Sequence, residues 1–211
     1  GQLLYVFYQH TRAADGQSNA IQYGGTLAIY QLPGGTLTGE VEIPDHSYRM
    51  GAMAVDTERE LAYLVPFQPF GKIYRIDLAA RVLDATYTED DIAPDYQTGG
   101  AAAVHQPTGY VFLASHNELV PESRARMVDF SGASPLVVSS WATGADPSRL
   151  VYDGRLNQLA AASQLSQSIT IADASKSQQA IQSPMTIKPA DLAYEPVYGR
   201  VLLLSQAGEI Y

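Results

Sequence analysis

The sequence predicts an all-β fold: a β-propeller of four-stranded antiparallel blades. Three observations predict it. Four segments align without a gap: AMAVDTERELAYLV from Ala52, AAAVHQPTGYVFLA from Ala101, RLVYDGRLNQLAAA from Arg149 and DLAYEPVYGRVLLL from Asp191. Their starts lie 42–49 residues apart, and propeller blades repeat at about 40–50 residues. No long window carries apolar residues at helical spacing, so almost no helix is expected.

Each aligned segment reads as an apolar strand, a polar turn and a second apolar strand, here strands A and B. A third alternating run follows as strand C: KIYRIDL from Lys72, RARMVDF from Arg124 and SITIADA from Ser168. The runs RVLDATYT from Arg81, PLVVSSWAT from Pro135 and QQAIQSPMT from Gln178 supply strand D. Val, Ile, Leu, Tyr and Thr fill the runs, while Gly, Pro, Asp and Asn fall between them, as strands and their turns require. A β-sandwich also has many short strands, but it does not explain an ungapped four-fold repeat.

The ends are irregular. GQLLYVFYQ reads as strand B, GGTLAIYQL as C and TLTGEVEIP as D, so the first blade lacks strand A. GEIY at the other end reads as the start of a strand C. The expected division is a partial blade over 1–47, blades over 48–97, 98–145 and 146–187, and a partial blade over 188–211. An open ring exposes strand edges. The expectation is therefore an incomplete ring, part of a six- to eight-bladed propeller completed by missing blades or a partner, with a closed five-bladed ring as the alternative.

The chain carries 13 Lys and Arg against 22 Asp and Glu, a net charge of -9, and its only lysines are Lys72, Lys176 and Lys188. Such a surface is poorly suited to phosphate backbones, so no nucleic-acid partner is expected. There is no cysteine, which excludes disulfides and thiolate chemistry. No apolar stretch is long enough for a membrane span. GQLLYVFYQ has no basic run or cleavage-site pattern, so no signal peptide is expected within it.

The repeated polar residues have a structural reading. Asp56, His105, Asp153 and Glu195 share one place in the A–B turn, with Gly109 and Gly199 at another. Asp77, Asp129 and Asp173 share the end of strand C, where an Asp side chain bonds the amides of the following turn. Catalytic motifs such as G-x-S-x-G, the P-loop and G-x-G-x-x-G are absent from the sequence.

Function is expected on loops carried by the rigid frame. In a propeller, B–C and D–A loops share one face and A–B and C–D turns share the other. The three largest loops of the first face supply the candidate contact residues: His10, Arg12, Asp15, His46, Tyr48, Arg49, Asp91, Asp95, Tyr96, His116 and Glu118. The B–C loop from His10 to Gly25 reads equally as a lid-like contact surface or as a tolerated insertion. Glu89, Asp90, Asp91 and Asp95 offer hard oxygen donors of the kind calcium takes. Their spacing fits no calcium motif, so the run reads first as a solvated loop and no cofactor is expected. His10, His46 and His116 fall on the same face and could hold a transition metal, but they lack any local ligand spacing and read first as scattered surface residues.

The stretch Asp146–Ser175, DPSRLVYDGRLNQLAAASQLSQSITIADAS, resembles the repeat of YVTN-type propellers, which share the blade plan of WD40-like proteins. PTGYVFLASHN (Pro107–Asn117) matches the second half of that repeat and KIYRIDLAA its last strand. Blade four departs from the pattern, with LAAAS in place of the Tyr-Val-x-Asn strand. The resemblance implies a propeller fold and an extracytoplasmic location, periplasmic, secreted or at the cell surface. For function it implies several classes: surface-layer modules, binding scaffolds, lactonases and cofactor-dependent dehydrogenase subunits. The expected function is that of a non-enzymatic scaffold that binds a protein partner or a small ligand on its B–C/D–A face. The alternatives are a lactonase-like hydrolase or dehydrogenase subunit working in the central channel, and a structural module of a surface or adhesive assembly.

Overall fold

The computed structural model describes residues 2–13, 21–43, 50–66, 72–93, 97–115, 123–176, 179–195 and 197–211. They form five antiparallel sheets whose strands are hydrogen-bonded in chain order. The first holds β1 (Leu3–Ala13), β2 (Ile21–Gln31) and β3 (Thr36–Ile43). The second holds β4 (Met50–Asp56), β5 (Leu61–Pro66), β6 (Ile73–Asp77) and β7 (Val82–Tyr87). The third holds β8 (Thr98–His105), β9 (Tyr110–Ser115), β10 (Arg124–Asp129) and β11 (Leu136–Ala142). The fourth holds β12 (Pro147–Asp153), β13 (Gln158–Ser163), β14 (Ser168–Asp173) and β15 (Ala180–Pro184). The fifth holds β16 (Pro189–Glu195) and β17 (Arg200–Ser205). Residues 209–211 turn back along β17, where the Leu203 and Tyr211 amides and carbonyls exchange hydrogen bonds of 3.1 and 2.9 Å.

The sheets are blades about one axis. Successive A strands pack on each other, β4 on β8, β8 on β12 and β12 on β16. At one place they nearly touch, since a Cβ added to Gly51 would stand 2.5 Å from the Gly100 Cα. Each of these A strands also shifts register near its start: between Met50 and Ala52, Thr98 and Ala102, Pro147 and Arg149, and Pro189 and Asp191. Such bulges bend a strand and sharpen its twist, and here they recur with the repeat.

The core lies between blades, which explains why the B strands read as unbroken apolar runs. Alternate residues of β5 face opposite neighbours: Ala62 and Leu64 pack toward the first blade, Tyr63 and Val65 toward the third. In β9, Val111 and Leu113 face the second blade, and Phe112 and Ala114 the fourth. A strand buried on both sides loses the polar alternation of a half-exposed one. The departure in blade four has a packing reason. Leu159, Ala161, Ala172 and Ala174 share a cluster with Trp141 of the third blade, whose side chain is 1% exposed. A bulky indole on one face is matched by methyl groups on the other, which keeps the interface dense.

Tyr63 gives this core an alkaline signature. It is buried beside Phe130, ring centroids 5.3 Å apart. Burial pushes its phenol up to about 12, against a smaller lowering by Arg75. The folded state therefore holds this proton more tightly than the unfolded chain does. The corresponding stability is whole below about pH 10 and is lost as pH rises from there toward 12. Tyr63→Phe should flatten that decline in denaturant melts taken on the two sides of pH 10. An unchanged slope would show that Tyr63 ionises as freely folded as unfolded.

One short helix, α1 (Glu89–Ile92), stands where the acidic run predicts a solvated loop. Its cause is local. The Thr88 amide and hydroxyl both donate to Asp91 Oδ2, at 2.7 and 2.8 Å. This is a helix start of the Thr-x-x-acid kind.

Candidate functional site

Among the described residues the loops sort by face as the topology requires. In blade four the B–C hairpin is bonded to the D–A loops on both sides: the Gln164 amide donates to the Asp146 carbonyl at 3.1 Å and the Met185 amide to the Gln167 carbonyl at 2.7 Å. A–B and C–D turns meet in the same way, with the Leu78 amide donating to Glu60 and the Ala174 amide to Asn157.

The A–B face is a set of repeated clasps. Asp56 Oδ1 accepts from the Glu58 and Arg59 amides, Asp153 Oδ1 from Arg155 and Leu156, and the Glu195 carboxylate from Val197 and Tyr198. The fifth residue of every such turn is left-handed: Glu60, Gly109, Asn157 and Gly199 have φ of 54°, 77°, 53° and 62°. At Gly109 this explains the glycine twice over, because a Cβ there would also lie 2.7 Å from the Arg59 side chain. Arg59 reaches to the next blade and donates to the carbonyls of Gln106 (3.0 Å) and Pro107 (3.3 Å). Arg155 does the same to Gly199 at 3.2 Å. His105 continues the series. Asn157 Oδ1, already accepting from the Tyr152 hydroxyl, accepts from His105 Nε2 at 3.1 Å, and Thr108 lies 2.7 Å from Nδ1.

The C-strand aspartates cap their turns. Asp77 accepts from the Ala80 amide at 2.7 Å, Asp129 from Ser131 at 2.8 Å and Asp173 from Ser175 at 2.9 Å. The Ser175 hydroxyl and Lys176 hold the Asp173 carboxyl down at about 2. For Asp153, burial pushes upward, but the Tyr194 hydroxyl and the Leu156 and Arg155 amides outweigh it and lower it overall. These carboxylates are committed to backbone, which agrees with the structural role read from their repetition.

Among the candidate contact residues, Asp91 is placed by the structure. The structure corrects the expected loop from His10 to Gly25: β1 and β2 pair out to Ala13 and Ile21, so His10 and Arg12 belong to a strand, opposite Gly24 and Gln22, because the antiparallel ladder continues beyond the expected strand ends. The side chains of His10 and Arg12 lie outside the described residues, as do Asp15, His46, Tyr48, Arg49, Asp95, Tyr96, His116 and Glu118. Asp91 caps α1, and the two Thr88 hydrogen bonds hold its carboxyl below the usual range. Of its acidic neighbours, Glu89 is buried and Asp90 exposed. Among the described residues no three His, Asp or Glu side chains converge to hold a metal ion.

Asp91 also lines a cleft of about 320 Å³ on the outer rim, between β7 with α1 and the turn 132–135 of the third blade. Arg75 is among its lining residues. Arg75 is not among the residues the loops nominate, although its repeat equivalents, Met127 and Ile171, are apolar. That mismatch is the signal that could have found it.

No protein-family model matches the chain, and no curated protein sequence matches it. Solved structures do. A chain of a nidogen/laminin complex superposes with a TM-score of 0.64 at 10% identity, covering 89% of this chain and 68% of that one. A chain of a mitotic checkpoint complex gives 0.63 at 13% identity, with coverages of 88% and 53%. A chain of the Kuenenia stuttgartiensis hydrazine synthase gives 0.60 at 13% identity, with coverages of 85% and 50%. At such identities the likeness defines the class alone: the fold is that of a β-propeller. The chain spans about half to two thirds of the length of these structures.

Proposed function

We propose that this propeller is a non-enzymatic scaffold that engages a protein partner on its B–C/D–A face. The observation that carries the reading is the uneven use of the two faces. Among the described residues the A–B/C–D side is tied by clasps between and within blades, whereas in the sequence the other side carries connections that vary in length and composition from blade to blade. Two of the three similar structures were solved within protein complexes, which favours the same class. The contacts would come from His10, Arg12, Asp15, His46, Tyr48, Arg49, Asp91, Asp95, Tyr96, His116 and Glu118, with the acidic members selecting a basic surface. The proposal extends to a single propeller domain with the blade divisions given above, to membership of the YVTN-type repeat class and to an extracytoplasmic location. The hydrazine synthase likeness favours a second reading, a subunit of an enzyme.

A photo-crosslinking residue at His46, compared with one at Leu156 on the A–B face, tests the scaffold reading in an extract of the source organism. A discrete protein adduct from position 46 and none from 156 is expected. Adducts from 156 alone would overturn the assignment of faces. Stoichiometric metal in the purified protein, surviving a chelator wash, would favour the enzyme reading.

A further inference from the structure

We propose that the rim cleft between the second and third blades binds a small zwitterion of the α-amino acid type. Its charged lining residues are one cation, Arg75, and one anion, Asp91. Both line the cleft with Tyr87, whose phenol is pushed up chiefly by burial, with Arg75 lowering it and Asp84 and Asp91 raising it.

Each charge is clamped at one end and unused at the other. Arg75 Nε donates to Asp84 Oδ2 at 2.6 Å, Nη1 donates to the Phe130 carbonyl, and the guanidinium lies 5.8 Å from the Tyr87 ring centre. Nη2 makes no hydrogen bond among the described residues. Both Thr88 bonds to Asp91 fall on Oδ2, which leaves Oδ1 without a bond among the described residues. Fixing both groups in advance removes much of the ordering cost of binding. The Nη2 group offers N–H donors that a carboxylate oxygen can accept. A carboxylate oxygen suits an ammonium group.

The remaining wall is small. Gly132, Ala133 and Ser134 bring backbone and short side chains to the opening, and the Thr86 side belongs to the outer strand of blade two. At about 320 Å³ the cleft is large enough to admit a small amino acid. The inference is independent of the scaffold reading, since it concerns the rim rather than the B–C/D–A face.

The test is an NMR titration of the whole chain with L-alanine, acetate and methylammonium. L-Alanine should shift the amides of 86–91 and 132–134 with a Kd of about 1 mM. Each single-charge fragment should bind about tenfold more weakly. Arg75→Gln should weaken L-alanine by about tenfold. Because Arg75 also joins the two blades, Ser134→Trp is the companion variant. It fills the opening from an exposed turn, and it should abolish the shifts while leaving the thermal melt unchanged. Equal affinity for acetate, absence of shifts at these amides, or full L-alanine affinity in Ser134→Trp would each overturn the assignment.

Discussion

Trp141→Ala is expected to lower the stability of the protein by about 3–5 kcal/mol, toward the upper end of that range. The indole is 1% exposed and lies on β11, the outer strand of the third blade. Its ring centroid is 5.9 Å from that of Phe112, and its N–H donates to the Lys176 carbonyl of the fourth blade at 2.8 Å. The cost of such a truncation depends on how well the surroundings can collapse into the space. Here the facing residues include Ala161, Ala172 and Ala174, which have no flexible atoms to move in. Trp141→Phe separates the contributions. It retains most of the apolar volume and loses one hydrogen bond, so a loss of about 1–2 kcal/mol is expected. Chemical denaturation followed by circular dichroism is the measurement, because Trp141 is the sole tryptophan and its fluorescence disappears with it. A loss under about 1 kcal/mol for Trp141→Ala would mean that the ring does not fill the blade interface.

The same residue shows what a sequence reveals of this fold. Period, strand order and the apolar character of the B strands follow from local pattern, because each blade repeats the same short-range rules. The turn carboxylates were legible for the same reason: Asp56, Asp77, Asp129, Asp153, Asp173 and Glu195 each act on amides within three residues. Trp141 could be read as packing, but the surface it packs on lies in the next repeat, and only the run LAAAS hinted at it. The α1 cap was present as Thr88-x-x-Asp91, yet a single turn of helix leaves no periodicity to detect. Arg75 broke an apolar position, and only tertiary neighbours reveal that the break opens a cleft. The candidate binding loops are the least legible part. They are what the repeat does not dictate, so their residues can be nominated from their position on the frame but not arranged in space.

Asp56→Ala is expected to cost about 2–3 kcal/mol and to loosen two blades at once. The Asp56 side chain is fully buried and accepts three bonds, each 3.1 Å long, from the Glu58 and Arg59 amides and from Arg59 Nη1. Removing one partner of a fully buried ion pair costs about 3–5 kcal/mol, because a charge is stranded without solvent. The Arg59 side chain is 39% exposed, so water can take up part of its charge, and the lower scale of hydrogen bonds to charged groups governs, about 1.5–3 kcal/mol. The two turn amides have less recourse. Asp56→Asn keeps an acceptor oxygen for them and loses the ionic contact to Arg59, so it should recover about half of the loss. The second effect is spatial. Arg59 is aimed at the Gln106 and Pro107 carbonyls by its bond to Asp56. Without that bond the clasp to the third blade weakens, and hydrogen exchange at Thr108 and Gly109 should accelerate in Asp56→Ala although neither residue touches position 56. Acceleration confined to residues 56–60 would show that each turn is closed by its own carboxylate alone and that the A–B face is not a connected series.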